Sequence, residues 1–326
     1  MDTVLKDIRY ALRTFLRSPG FTTVAVASLA LGIGANTTIF SLVNAVFLRP
    51  IAVTEPDRIL SLFTLDEKNP GSHQTSFPNY EDYRDRNEVF SSLVAFTGAG
   101  LSLSGEGQPE QVFGLLVSGS YFDMLGVRPA LGRGFLPAED AAPGAGPVVV
   151  LSHGCWSRRF GSDPRILGRA ITLNRQRFTV VGVAPESFRG TFAIGGPEMW
   201  IPLSMHDQVL SGTFKDWFND RRFLGMAVMG RLKPGMTTQQ AEAAMKTLAR
   251  QLEQEYPEPN KGRTVGLLPL SESTINPDQR ALFLRAGQLL MTVVGLVLLI
   301  ACANVANLLL ARAASRRREI AVRLSL

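Results

Sequence analysis

Two stretches without a single charged side chain bound a polar middle in this chain, and they limit what it can fold into. Ser18 to Leu48 spans 31 such positions and Ala286 to Ala311 spans 26. At about 1.5 Å rise per residue the second makes a helix of roughly 39 Å, against a hydrocarbon core of about 30 Å. The first is long enough even if its Gly- and Asn-containing middle is only partly embedded. A soluble protein has no reason to keep both runs free of charge. The expectation is two transmembrane helices, 21–48 and 285–311, with an extracytoplasmic domain over 49–284.

The flanks set the orientation. Lys6, Arg9, Arg13 and Arg17 precede the first span, opposed by Asp2 and Asp7. Arg312, Arg316, Arg317, Arg318 and Arg323 follow the second, opposed by Glu319. Basic residues close to span ends stay on the cytoplasmic side, so both termini are expected in the cytoplasm. Those two ends carry nine basic and three acidic residues, which accounts for the whole net charge of +6. The basic balance therefore reads as a membrane signal and as attraction to the lipid bilayer, not as nucleic-acid binding. The long first run, preceded by about twenty residues, reads as an uncleaved anchor and not as a signal peptide, whose apolar region has about 7–15 residues.

Along the chain, Leu5, Ile8, Leu12 and Phe15 recur at helical spacing among basic residues, predicting a cytoplasmic amphipathic helix over 1–20 that ends at Ser18-Pro19-Gly20. Ser28 and Gly32 are small residues four apart, followed by Asn36, and the second span carries Asn304 and Asn307. Small residues let helices approach closely and Asn can bond across them, so these five are read as interhelical packing residues. The middle predicts mixed α and β structure. Strands are expected over 58–64, 93–96, 111–117 and 227–232, with Gly98-Ala99-Gly100 in a turn, and Val148 to Leu151 is an apolar run. A hairpin is expected over 171–183 about Asn174-Arg175-Gln176. Helices are expected over 79–86 and 157–160, and a longer one after Thr237, where Thr237 and Gln240 fit a capping box and Tyr256-Pro257 stops it. A return strand follows over 264–270. The fold class is thus α+β in two lobes. A strand-helix-strand lobe lies near the membrane, with a β-rich insertion at roughly 116–225, all set between two transmembrane α-helices.

No catalytic constellation is visible. Gly98-Ala99-Gly100 and Gly105-Glu106-Gly107 lack the Lys-Ser/Thr end of a phosphate loop, and neither Ser118-Gly119-Ser120 nor Ser152-His153-Gly154 matches a nucleophile elbow. Glu139-Asp140 reads as a solvated turn. Cys155 falls in the predicted outer domain and Cys302 within the second span, so they cannot pair, and His73, His153 and His206 are scattered, so no metal or cofactor is assigned.

Several residue strings carry a resemblance. Ala30-Leu31-Gly32-Ile33-Gly34-Ala35-Asn36-Thr37, with Asn44 to Pro50, resembles the first span of MacB/FtsX-type ABC permeases, and is most like the acidobacterial duplicated orphan permeases. Tyr121 to Val127, Gly132 to Phe135, and the run from Val149 through Trp156, Asp163-Pro164 and Gly168-Arg169 to Pro185 are similar to the MacB-like periplasmic core domain. Arg317 to Leu324 is similar to the cytoplasmic coupling segment after the second span, here 312–326. The resemblance implies a permease subunit of a mechanotransmission ABC transporter. A partner cytoplasmic ABC ATPase binds and hydrolyses ATP-Mg, and its closure moves the coupling segment, the spans and the outer domain. The chain itself is then no enzyme. Arg317, Glu319, Ile320 and Arg323 become the partner-ATPase contacts, and a second permease copy or a complementing transmembrane half becomes a partner. Such permeases continue into further spans, so the chain is expected to be a fragment or one half of a split protein. The alternative reading is a two-span sensor or interaction protein with an extracytoplasmic ligand-binding domain.

Overall fold

The computed structural model describes residues 19–43, 51–68, 73–104, 109–192, 196–210, 212, 216–273 and 277–324. Its contacts divide the chain into Met1–Arg49 with Arg280–Leu326, and Pro50–Gln279. The expected amphipathic helix over 1–20 falls almost wholly outside the described residues, and Gly105-Glu106-Gly107 lies wholly outside them.

The first unit holds two long helices, α1 (Pro19–Val43) and the C-terminal helix Pro277–Leu324. Pro19 and Gly20 form the first turn of α1, where the missing proline N–H costs no hydrogen bond. Thr22–Ser41 and Arg285–Asn307 are each long and apolar enough to cross a membrane. Large side chains such as Leu31, Phe40, Leu289, Leu299 and Ile300 are exposed on them, which suits a lipid solvent and would be costly in water.

In the second unit a β-α-β pair at each end of the sequence builds one half of a sheet. β1 (Ile59–Asp66) leads through α2 (Phe77–Arg86) to β2 (Phe90–Ser104). Far along the chain, β9 (Ala227–Leu232) leads through α5 (Thr238–Glu255) to β10 (Arg263–Pro269). The four strands lie in the order β10-β1-β9-β2, all antiparallel, which is the interleaved βαββαβ arrangement of ferredoxin-like folds.

Between β2 and β9 come β3 (Glu110–Val117), α3 (Tyr121–Leu125), β4 (Leu131–Gly132), β5 (Val148–Leu151), α4 (His153–Phe160), β6 (Ala170–Leu173), β7 (Gln176–Val183) and β8 (Met199–Pro202). These strands extend the same sheet as β2-β3-β8-β5-β7-β4. β2 is the shared member. Its first half pairs with β9 and its second half with β3.

Alternation along the strands gives the sheet two apolar faces. Leu60, Leu62, Leu93, Leu101, Leu116, Val149, Ile201 and Val228 point to the face covered by α2, α4 and α5. Ile59, Val94, Phe96, Leu115, Val150, Trp200 and Met229 point to the other, where Phe122, Leu125 and Phe188 pack. Ala241, Met245, Leu248, Ala249 and Leu252 form the buried stripe of α5, and Thr237 and Gln240 close its N-terminus as a reciprocal capping box.

Two expectations change. Gly98-Ala99-Gly100 lies inside β2, not in a turn. The Phe113 ring on β3 covers Gly98, and a Cβ there would approach Phe113 Cε2 to 2.9 Å, so the neighbouring aromatic supplies the packing that glycine lacks. The hairpin turn contains two residues, not three. Asn174 and Arg175 take positive φ values of 48° and 70°, and Asn174 is locked by donating its side-chain amide to the Val209 carbonyl and accepting from Ser102 N–H.

Candidate functional site

The residues just before β1 enter the domain through a dense set of polar contacts. Glu55 adopts a left-handed conformation (φ 47°), which turns the chain so that its carboxylate meets Arg58 at 2.8 Å and Arg231 at 3.3 Å. Arg231, on β9, is largely buried and its burial draws the guanidinium's pKa down. Its three nitrogens are all engaged. Nε donates to the Met124 carbonyl at 2.9 Å, Nη2 to the Thr54 carbonyl at 2.6 Å, and Nη1 to Glu55. Arg58 donates in turn to the Leu232 carbonyl at 2.6 Å. A guanidinium fork suits this task because one planar group can address three acceptors on separate elements.

α3 forms the floor of this junction. Thr54 N–H donates to the Leu125 carbonyl at 2.9 Å and its hydroxyl to the Gly126 carbonyl at 3.2 Å. Gly126 ends α3 at φ 67°, and a Cβ there would collide with the Thr54 side chain. This gives the string Tyr121 to Val127 a physical role, since its Phe122, Met124 and Leu125 enter the core while its glycine leaves room for the entering chain. The way out of the domain reaches the same place. Leu270, directly after β10, is buried in the cluster that holds Ile59, Met124 and Leu125, with Ile51 and Val53 packed against it. Glu55, Arg58 and Arg231 escaped the sequence reading, because an isolated arginine on a predicted strand looks like any exposed charge.

In the unit of two long helices, Gly32 is buried. A Cβ on it would sit 3.4 Å from both Ala301 Cβ and Leu298 Cδ1. Ser28 and Asn36, one turn to either side, are half-buried, while Val294 and Ala301 are buried on the partner helix. The contact is thus shown at Gly32, and Asn304 and Asn307 are exposed. The C-terminal helix, now called α6 (Pro277–Leu324), continues without a break past Ala311 and carries Arg317, Glu319, Ile320 and Arg323 in its last turns.

Other side chains considered in the sequence have structural roles. Cys155 is a free, buried thiol whose pKa is pushed up to about 12 by burial and the nearby Glu198 carboxylate. Glu139 and Asp140 bind protein groups. Glu139 holds Arg133 in a two-pronged pair at 2.7 and 2.9 Å, and Asp140 accepts from Gly119 N–H at 2.7 Å and Ser204 N–H at 3.0 Å. Among the described residues, no group of three or more His, Cys, Asp or Glu side chains is placed to hold a metal ion.

Comparison with known proteins bears on this arrangement. The model of the MacB-like periplasmic core domain matches residues 22–248, more than half of the chain. The chain belongs to the MacB-like periplasmic core domain family. A "Probable export ATP-binding/permease protein" of Pseudomonas fluorescens Pf-5 is 27% identical over 210 residues, covering 64% of this chain and 29% of that relative. The chain thus spans about a third of the curated relative's length at most. A crystallised domain assigned to a permease of Porphyromonas gingivalis shares the fold at a TM-score of 0.50 and 16% identity, over 68% of this chain and 92% of that one. The periplasmic region of MacB from Actinobacillus actinomycetemcomitans aligns at a TM-score of 0.47 and 14% identity, over 72% and 94%. A periplasmic core domain flanked by two helices apolar enough to cross a membrane makes this a membrane-associated protein.

Proposed function

We propose that this chain is part of the permease of an ABC export system and works by mechanotransmission. In this reading a partner ATPase in the cytoplasm binds and hydrolyses ATP, and its motion is delivered to the outer domain through α1 and α6. The outer domain changes shape and handles cargo outside the membrane, so nothing need pass between two helices too few to enclose a pore. Both termini are cytoplasmic, and a second permease copy or further spans complete the membrane part.

The observation that carries this reading is the continuity of α6 from Pro277 to Leu324. An unbroken helix of 48 residues is about 72 Å long and resists bending, because each turn is closed by backbone hydrogen bonds. It can therefore act as a rod with Arg317, Glu319, Ile320 and Arg323 near one end and Leu270 shortly beyond the other. Motion arriving along α1 would meet the clamp formed by Arg231, Arg58 and Glu55, which ties the entering chain to β9 and α3.

Breaking the rod tests the proposal. Ala314→Pro removes one helical hydrogen bond and introduces a steric clash, at a cost of about 3 kcal/mol locally. The variant should still capture the ATPase in membranes. ATP should no longer alter the labelling rate of a cysteine introduced at the exposed Ala243 on α5. An ATP response as large as in the unmodified helix would refute transmission through α6.

A further inference from the structure

We propose that the cavity beside the C-terminal end of α4 is a carboxylate-binding site, one independent of the transmission reading. Its volume is about 340 Å³, and its walls include Leu103, Arg159, Phe160, Arg169, Ile171 and Thr172. That size is at the lower end of ligand pockets and suits a single acidic side chain, a chain end or a small dicarboxylate.

Two guanidinium groups define its chemistry. Arg159 occupies the last turn of α4, and its side chain is only 21% exposed. Arg169 lies over the Phe160 ring, 5.8 Å from its centre, so the aromatic face fixes where this second cation stands. Two arginines lining one partly open hollow suit a planar anion, because a guanidinium fork can give two parallel hydrogen bonds to one carboxylate.

The protein already shows what fits. Glu110, at the start of β3, reaches over to pair with Arg159, although its own side chain is 63% exposed. A carboxylate on a long, exposed arm is held weakly, since water screens the pair and ordering the arm costs entropy. Glu110 therefore acts as a displaceable internal occupant, standing where the carboxylate of a ligand would bind. A ligand carboxylate would take the Arg159 fork, face Arg169, and release Glu110 to solvent. Its apolar part would rest on Leu103, Phe160 and Ile171.

Calorimetric titration of the full chain in detergent tests this, with glutarate, its neutral analogue glutaramide, inorganic phosphate and a pentapeptide with a free C-terminal carboxylate. The expected result is binding of glutarate or of the peptide and none of glutaramide, with the tighter of the two telling a free metabolite from a polypeptide. Glu110→Gln, which removes the internal competitor from an exposed position, should tighten binding about two- to fivefold. Arg159→Gln and Arg169→Gln should each weaken it at least about tenfold. The gain of affinity in Glu110→Gln cannot arise from misfolding. No binding of either carboxylate even in Glu110→Gln, equal binding of glutaramide, phosphate binding tighter than both carboxylates, or an affinity indifferent to residue 110 would each overturn the assignment.

Discussion

Arg231 Nη2 donates to the Thr54 carbonyl oxygen at 2.6 Å, so the chain entering the domain is held by a strand residue 177 positions away. Because the same guanidinium also reaches Met124 and Glu55, it acts as a rivet through three elements. Arg231→Lys keeps the charge but cannot span three acceptors. It should leave the Thr54 or Met124 carbonyl unsatisfied and lower stability by about 1–3 kcal/mol, read from a shift in the urea midpoint of the full chain in detergent. An unchanged midpoint would mean that water replaces the rivet without cost.

A second long-range tie joins the two β-α-β halves. Asn79 on α2 donates from Nδ2 to Asn260 Oδ1 at 2.9 Å, and Asn260 donates to the Leu252 carbonyl at 3.1 Å, all of them buried. Asn260→Ala strands both groups away from water and should cost about 1–3 kcal/mol, whereas Glu258→Ala on the adjacent surface should be near neutral. Paired thermal melts distinguish the two.

These ties explain what the sequence could and could not reveal. The stripe Ala241 to Leu252 and the capping pair Thr237 and Gln240 are local signals, and α5 follows from them directly. The exchange of order in β10-β1-β9-β2 is a matter of pairing between segments far apart, which no window of residues contains. β8, Met199 to Pro202, went unread because four buried residues give no alternation, and only its pairing with β3 on one side and β5 on the other makes it a strand. At the candidate site, Gly126 stood in a recognisable string, but Arg231 gained its meaning only from the three carboxyl and carbonyl oxygens that converge on it.

Glu139 and Asp140 are neighbours that titrate in opposite directions. The Arg133 guanidinium holds Glu139 below its ordinary range, so this pair adds stability above that range that is lost as pH falls through the lowered pKa. Burial raises Asp140, whose ionised form is disfavoured in the fold, so its contribution declines as pH climbs from the ordinary value through the raised one. Glu139→Gln should therefore flatten the acid side of the stability profile. Asp140→Asn should remove the opposing slope while lowering the plateau, since one amide oxygen replaces two acceptors. Urea midpoints taken between about pH 3 and 7 would show either change.

The close approach at Gly32 predicts a size limit. Gly32→Ala places its methyl group 3.4 Å from Ala301 Cβ and should be tolerated, while Gly32→Leu forces the helices apart at about 1–3 kcal/mol. Thermal midpoints of the two variants in detergent should separate clearly, and equal values would mean that the helix contact adds little.

The most direct test of the account is a photo- or cysteine-reactive crosslink placed at Arg323 in native membranes, with the captured protein identified by mass spectrometry. The account predicts an ABC ATPase as the main adduct, its yield altered by a non-hydrolysable ATP analogue. Capture of lipid alone, or of a signalling protein in place of an ATPase, would contradict it.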